Sequence, residues 1–404
     1  MTSSDVASPA QRLSGRASAS ANPVEAVSGE RLRVLFFTWN YFPAPAGGAE
    51  RQARLQAEEL VRRGHYVTVV CPRAGGTVSG AIGGAYVHRL FRIERRPLQR
   101  LSYLVSLLLF AFRNLRKYDV AHVHLANLQA DVVVTVARLL RRPVYVKVAC
   151  GGSAGEITRL AKIARLTHWV GLRRATAVQA LSSEIVRELR SIGVEKERIV
   201  EIPNGLGRGP FAPAGTEERR RLRRDLHLPS DGVVVLYVGR FAQYKGILDL
   251  LDVWERRPPD GATLVLLGSG DTDKAIGAVD EAPGLIVRDW TNDVAPYLRA
   301  ADLFVYPSYA DGMSNALLEA MACGCGPVAS RSGAAEDMIE DGRSGLLFDA
   351  GDRAALRVAL DRAISDDDLR AQMSAAAADA AAGYAIEAVV DSILETYRAM
   401  VVRP

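Results

Sequence analysis

The sequence predicts an α/β chain made of two Rossmann-like, doubly wound parallel-sheet domains with a cleft between them. Three observations carry this reading. With 404 residues, 49% of them apolar, the chain exceeds one ordinary domain and can build two cores. Short β-type runs, glycine-bearing loops and helix-patterned stretches follow one another in the order a parallel sheet imposes. That series is interrupted by a polar, arginine-rich stretch at 206–230 and then begins again.

Residues 1–30 are rich in Ser, Ala, Pro and Gly and read as a disordered tail. The first domain, 31–205, opens with the β-type run Arg33–Thr38 and a Pro/Gly loop ending at Gly47-Gly48. A helix pattern follows from Ala49 to Arg63, stopped by Gly64, and then the strand Tyr66–Val70. Gly47 and Gly48 stand where the first strand feeds the first helix, on the sheet edge where ligands bind in such folds; a turn with no ligand is the alternative. Further strands are expected at Asp119–His124, Pro143–Val148 and Ala175–Leu181, and Ile199–Gly205 closes the half. His122 and His124 alternate onto one face of their strand. The Glu217–Arg224 run inside the linker region 206–230 reads as a solvated helix.

The second domain, 231–380, opens with Val233–Val238, apolar enough for a buried strand. Gly239-Arg240 ends it and Lys245-Gly246 opens the next helix. The strands Ala262–Leu267, Leu285–Val287 and Ala301–Val305 follow, and residues 381–404 are expected to form a C-terminal helix returning to the first domain. The chemistry concentrates in Tyr306–Ser330. There, Ser314-Asn315 starts a helix with good N-capping residues, and Gly324 and Gly326-Pro327 stop it. A helix N-terminus carries N–H groups and a partial positive charge that suit a phosphate. Gly312 lets backbone approach a ligand, and the carboxylates Asp311 and Glu319 bracket the site with acceptors for hydroxyl groups. That combination suits a sugar nucleotide; an ordinary helix with one exposed and one capping acid is the alternative.

The net charge of +5 is dispersed and aromatic residues make up 7%, which argues against nucleic acid as a partner. The four cysteines have no metal or redox spacing and fit a reducing compartment, and with no secretory or membrane-spanning run the expected location is cytoplasmic. Arg92–Lys117 stands apart as an apolar stretch, Leu101–Phe112, with Arg95, Arg96, Arg100, Arg113, Arg116 and Lys117 around it. It suits a helix on a membrane surface, peripheral on the cytoplasmic face, or one buried on the first sheet with its charged ends reaching solvent.

In order and spacing the chain resembles the retaining GT-B fold glycosyltransferases of family 4, over about residues 32–400. The motifs are Gly47-Gly48-Ala-Glu50 with Arg63-Gly64-His65; Pro203-Asn204-Gly205; Val238-Gly239-Arg240 with Lys245-Gly246; Asp302–Ser308; and Asp311-Gly312 through Glu319 to Gly324. The last is the family's E-x7-E element with Asp as its first acid. The resemblance implies that Arg240 and Lys245 contact the donor diphosphate and that Glu319 binds ribose hydroxyls. Asp311 then lies near the donor sugar, with Gly312, Met313, Ser314 and Asn315 offering backbone donors. Gly47 and Gly48 close over the diphosphate. The implied reaction moves a hexosyl or N-acetylhexosaminyl group from a UDP- or GDP-linked sugar to a glycan, lipid-linked or small-molecule acceptor, as in cell-surface polysaccharide synthesis. Anomeric configuration is retained. No cofactor is implied beyond the sugar-nucleotide co-substrate, and no metal: Asp271-Thr-Asp273 and Asp366-Asp-Asp368 read as metal-free. One departure is Ala149-Cys150-Gly151-Gly152 where many relatives place a His, which leaves Glu156 or His124 as candidates on the acceptor or reaction-centre side. The alternatives are a catalytically silent sugar-nucleotide-binding partner and another GT-B activity such as an epimerase.

Overall fold

The computed structural model describes residues 31–43, 47–95, 98–152, 155–158, 168–256, 259–272, 276–277 and 282–402. The predicted tail at 1–30, Arg96 and Asp273 lie outside them. The chain divides into two compact units: described residues up to Gly207 together with those from Ile386 on, and Arg208–Ala385.

The first unit holds β1 (Arg33–Phe37), β2 (Tyr66–Pro72), β3 (Gly80–Ile82), β4 (Ala85–Leu90), β5 (Val120–Val123), β6 (Val144–Val148), β7 (Ala177–Ala180) and β8 (Ile199–Glu201). They form one sheet in the order β3-β4-β2-β1-β5-β6-β7-β8, parallel except for the β3–β4 hairpin. Every residue of β5, β6 and β7 is buried, as expected of interior parallel strands covered on both faces. The helix Ile386–Val402 adds Val389, Val390, Ile393 and Tyr397 to the core that β1 and the helix Gly48–Arg62 share. The motif Arg63-Gly64-His65 does structural work here. Gly64 takes the left-handed turn that ends the helix. The His65 ring accepts from Leu32 N at 3.1 Å, and Arg63 donates to the Glu387 carbonyl at 2.8 Å.

The second unit holds β9 (Val233–Val238), β10 (Ala262–Leu267), β11 (Leu285–Arg288), β12 (Leu303–Tyr306), β13 (Gly326–Ser330) and β14 (Leu346–Phe348). All neighbouring strands are parallel and the order is β11-β10-β9-β12-β13-β14. The order reverses between β9 and β12, and doubly wound sheets open a ligand crevice at the carboxyl ends of the strands at that reversal.

The linker region differs from its sequence reading. Thr216–Asp225 is a helix, but it is not solvated all round, because Arg223 is 5% exposed. Its guanidinium donates to Asp302 Oδ2 at 2.5 Å, the Ala300 carbonyl at 3.0 Å and the Gly232 carbonyl at 3.1 Å. Asp302 also accepts from Val234 N at 2.8 Å and Arg219 at 3.1 Å. A run that reads as charged and solvated is therefore anchored to the second sheet through Asp302, which pairs with both Arg223 and Arg219. The four cysteines are unpaired. Burial pushes the Cys71 thiol up to about 11 and the Cys323 thiol to about 12, so both are packing residues at neutral pH. Among the described residues no helix is long and apolar enough to cross a membrane.

Removing one partner of a buried ion pair leaves the other charge uncompensated. Asp302→Ala is therefore expected to lower stability by about 3 kcal/mol, read by chemical denaturation; an unchanged unfolding curve would show that the Arg223 network adds nothing.

Candidate functional site in the Arg208–Ala385 unit

Two loops meet at the reversal point, one after β9 and one after β12. After β9 the chain runs through Gly239 and the exposed Arg240, whose guanidinium has no partner among the described residues. A short 3-10 turn, Gln243–Lys245, follows, and Gly246 at φ 69° releases the chain into the helix Ile247–Arg256. A Cβ on Gly246 would lie 1.9 Å from the Pro307 carbonyl oxygen. Only glycine meets both the left-handed turn and this approach to the second loop.

After β12 the chain passes Asp311 and Gly312, and Ser314 caps the helix Asn315–Ala322, accepting from Leu317 N at 3.3 Å. The predicted cap and helix start are where the structure has them. Asp311 is the junction: its Oδ2 accepts from Lys245 Nζ at 2.5 Å and from the Tyr306 hydroxyl at 2.8 Å, and its Oδ1 accepts from Gly312 N at 2.9 Å. Lys245 and Asp311 side chains are each 19% exposed, so the pair is only partly open to solvent. Burial, and then the Asp311 charge, pushes the Tyr306 hydroxyl well above its ordinary value, so it remains a donor to the carboxylate. Gly312 and Met313 are buried, Ser314 and Asn315 half-buried. Glu319, 7% exposed, lies on the second turn of the helix.

The structure thus unites Lys245 with Asp311 and places Arg240 on the same loop as Lys245. Two contributors were missed. Tyr306 ends an apolar strand and reads as core until its hydroxyl is traced. Gly333, at φ 57°, lies where a Cβ would be 2.6 Å from the Gly312 oxygen and 2.8 Å from the Asp311 oxygen, backing the loop from behind. Of the acidic motifs, Asp366 is a helix cap, accepting from Leu369 N at 2.9 Å.

In the other unit, Gly47 caps the helix Gly48–Arg62, and its N–H donates to Glu50 Oε2 at 3.0 Å. Glu156 accepts from Ala126 N at 3.0 Å and Ala149 N at 3.3 Å, tying the ends of β5 and β6 together. His124 follows β5 directly. It is 1% exposed, stacked on His122 at 3.9 Å and edge-on to Phe36 at 4.5 Å. Burial holds both imidazoles well below their ordinary range. His122 lies on the interior strand β5 and His124 just beyond its carboxyl end, and the two rings pack together in one buried cluster. A polar residue that sequence reasoning passed over is Lys147 on β6, which is 1% exposed and donates to Asn204 Oδ1 at 2.7 Å. Burial pulls it down to about 7, and the Glu156 charge opposes the fall. A lone Lys within the apolar run Val144–Val148 was the available signal.

Three comparisons with known proteins place this architecture. Residues 232–366 match the family described as Glycosyl transferases group 1, and residues 47–205 match the Glycosyl transferase 4-like domain. The chain belongs to the group 1 glycosyltransferases, with the GT-B fold. Among curated proteins it is similar to the lipopolysaccharide core biosynthesis glycosyltransferase LpsE of Rhizobium meliloti, 31% identical over 43% of this chain; there the match spans about half the relative's length, 52%. It is 26% identical to a D-inositol 3-phosphate glycosyltransferase of Corynebacterium jeikeium over 87% of this chain and 91% of that one. Among solved structures, Anabaena HepE in complex with UDP-glucose superposes with a TM-score of 0.74 at 20% identity, over 91% of this chain and all of that one.

Lys147 supplies a pH test. Between its folded value of about 7 and the ordinary 10.5, the unfolded chain holds a proton that the folded chain lacks, so stability rises with pH across that window. Lys147→Met is expected to flatten this rise, measured by denaturation at neutral pH and at about pH 9.5. Equal slopes in the two proteins would mean the buried amine keeps its proton.

Proposed function

We propose that the protein is a retaining glycosyltransferase. It moves a hexosyl or N-acetylhexosaminyl group from a UDP- or GDP-linked sugar to a glycan, lipid-linked or small-molecule acceptor in the synthesis of a cell-surface polysaccharide or glycoconjugate. The observation that carries this reading is the meeting of Lys245 with Asp311 at the strand-order reversal, with Arg240 on the same loop and unpaired among the described residues. The UDP-glucose bound to HepE and the lipopolysaccharide role in the name of LpsE support the donor and pathway classes.

Arg240 and Lys245 hold the diphosphate. Lys245 carries three N–H donors, so it can keep Asp311 while donating to a phosphate oxygen. Gly312 to Asn315 approach the phosphates and sugar with backbone and the helix N-terminus, Glu319 accepts from ribose hydroxyls, and Asp311 orients the sugar. As the anomeric C–O bond breaks, negative charge gathers on the leaving phosphate, and the cations stabilise it. The departing phosphate oxygen takes the proton from the acceptor hydroxyl as the new C–O bond forms on the same face. Charges and atoms balance without a metal or a separate base. Glu156, which accepts from two backbone N–H groups, acts by shaping its loop.

Calorimetric titration with UDP, GDP, ADP and TDP is expected to show one preferred nucleotide. Arg240→Ala should weaken it by about ten- to a hundredfold, the worth of a charge-assisted contact. Lys245→Ala is expected to cost about 10²–10³ in transfer rate with the fold intact. A folded protein that binds none of the four nucleotides, or a product whose anomer is inverted relative to the donor by NMR, would overturn the reading.

A further inference from the structure

The helix Leu98–Asn114 is apolar over most of its surface, with Gln99, Ser102, Ser106 and Arg113 along one flank. One stripe, Tyr103, Leu107 and Ala111, is buried, with the Tyr103 hydroxyl 2.6 Å from the Gln129 amide and Phe110 stacked on His88 at 4.8 Å. Among the described residues nothing covers the opposite stripe. Leu98, Leu101, Val105, Leu108, Leu109 and Phe112 are each at least 45% exposed, and Phe91, just before the helix, is 63% exposed. Leu98, Leu101, Val105, Leu108 and Phe112 follow at spacings of three and four on one side of the helix, with Leu109 beside Leu108. The stripe runs about 21 Å. Exposed apolar side chains scattered singly are ordinary; a continuous row marks an interaction surface.

Charge selects the occupant. The helix carries no carboxylate, while Arg95 and Arg100 lie exposed at its start and Arg113, Arg116 and Lys117 at its end. None of these five forms an ion pair among the described residues, and Lys117 donates only to Asn114 at 3.0 Å. Asp119, the next carboxylate along the chain, is already engaged by Arg33 at 2.9 Å, and Glu94 accepts from Gly75 N at 3.2 Å. A second copy of this face would set cations against cations whether the helices ran parallel or antiparallel. A specific protein partner would need hydrogen-bonding groups to fix its register, and the stripe offers none. An aliphatic row with unneutralised cations at both ends fits a surface that is apolar within and anionic at its rim.

We propose that the helix Leu98–Asn114 seats the protein on an anionic lipid bilayer, with the Leu98–Phe112 row in the acyl boundary and the flanking arginines among the headgroups. This surface is independent of the donor-site reading. Its test is flotation with vesicles of equal parts phosphatidylglycerol and phosphatidylcholine, against vesicles of phosphatidylcholine alone. Wild type is expected to float with the anionic vesicles and to be released by salt. Leu101→Ser with Leu108→Ser and Phe112→Ser should bind at least about tenfold more weakly. In a second variant, Arg113→Ala with Arg116→Ala and Lys117→Ala, binding should fall by about fivefold per charge removed. Circular dichroism and nucleotide titration of both variants confirm an intact fold and separate this result from any failure at the donor site. Failure of wild type to float, equal flotation of the serine variant, or a wild-type dimer that the serine substitutions dissolve in the absence of lipid binding would each overturn the proposal.

Discussion

The interaction on which the second unit's site depends is the contact between the Lys245 ammonium and the Asp311 carboxylate at 2.5 Å. The two residues belong to different βα turns, and a parallel sheet brings such turns together only where their strands are neighbours. β9 and β12 are neighbours at the point where strand order reverses. A carboxylate held by an ammonium, a phenol hydroxyl and its own backbone is oriented and still has lone pairs for a ligand. An ammonium held by one carboxylate keeps donors to spare. Each group holds its partner in place and leaves capacity for a ligand of the opposite kind, an anion for Lys245 and a hydroxyl for Asp311.

That contact is made possible by glycine. Gly246 lies against the Pro307 carbonyl and Gly333 against the oxygens of Asp311 and Gly312, so the loop after β12 is pressed from two sides by backbone that has no side chain. Both positions adopt left-handed φ values, where a Cβ is strained. The loop's geometry is thereby set by packing before any ligand arrives, which is the preorganisation that electrostatic stabilisation of a leaving group requires.

The first unit uses polar burial differently. Lys147 reaches Asn204, and the Gln52 amide brackets Gly205 by accepting from its N–H at 2.9 Å and donating to its carbonyl at 2.8 Å. The Pro203-Asn204-Gly205 motif, read as part of the family pattern, is thus a clamped turn whose polar groups are satisfied internally. A Cβ at Gly205 would lie 2.6 Å from Ile386, so the helix Ile386–Val402 seats directly on it. His122 on β5 and His124 just after it pack with Phe36 and Tyr145 as a buried aromatic cluster.

Fold class, the two series of strands, the Ser314 cap and the chemical bias of 306–330 were all legible in the sequence. They rest on local periodicity and on residue types whose capping, turning or charge acts within a few positions. The family pattern added Arg240, Lys245 and Glu319, each on the turn or helix that the pattern names. Three facts came only with the tertiary structure: that Asp311 takes Lys245 and Tyr306 as partners, that Arg223 is buried on Asp302, and that His124 is enclosed. Each depends on which strands are neighbours and which faces are covered. The same holds for the bare outer stripe of Leu98–Asn114: the sequence shows an apolar helix with basic ends, and only packing decides which side is used up and which is left for a partner. Local propensity is written along the chain, whereas burial and long-range pairing are properties of the assembled layers.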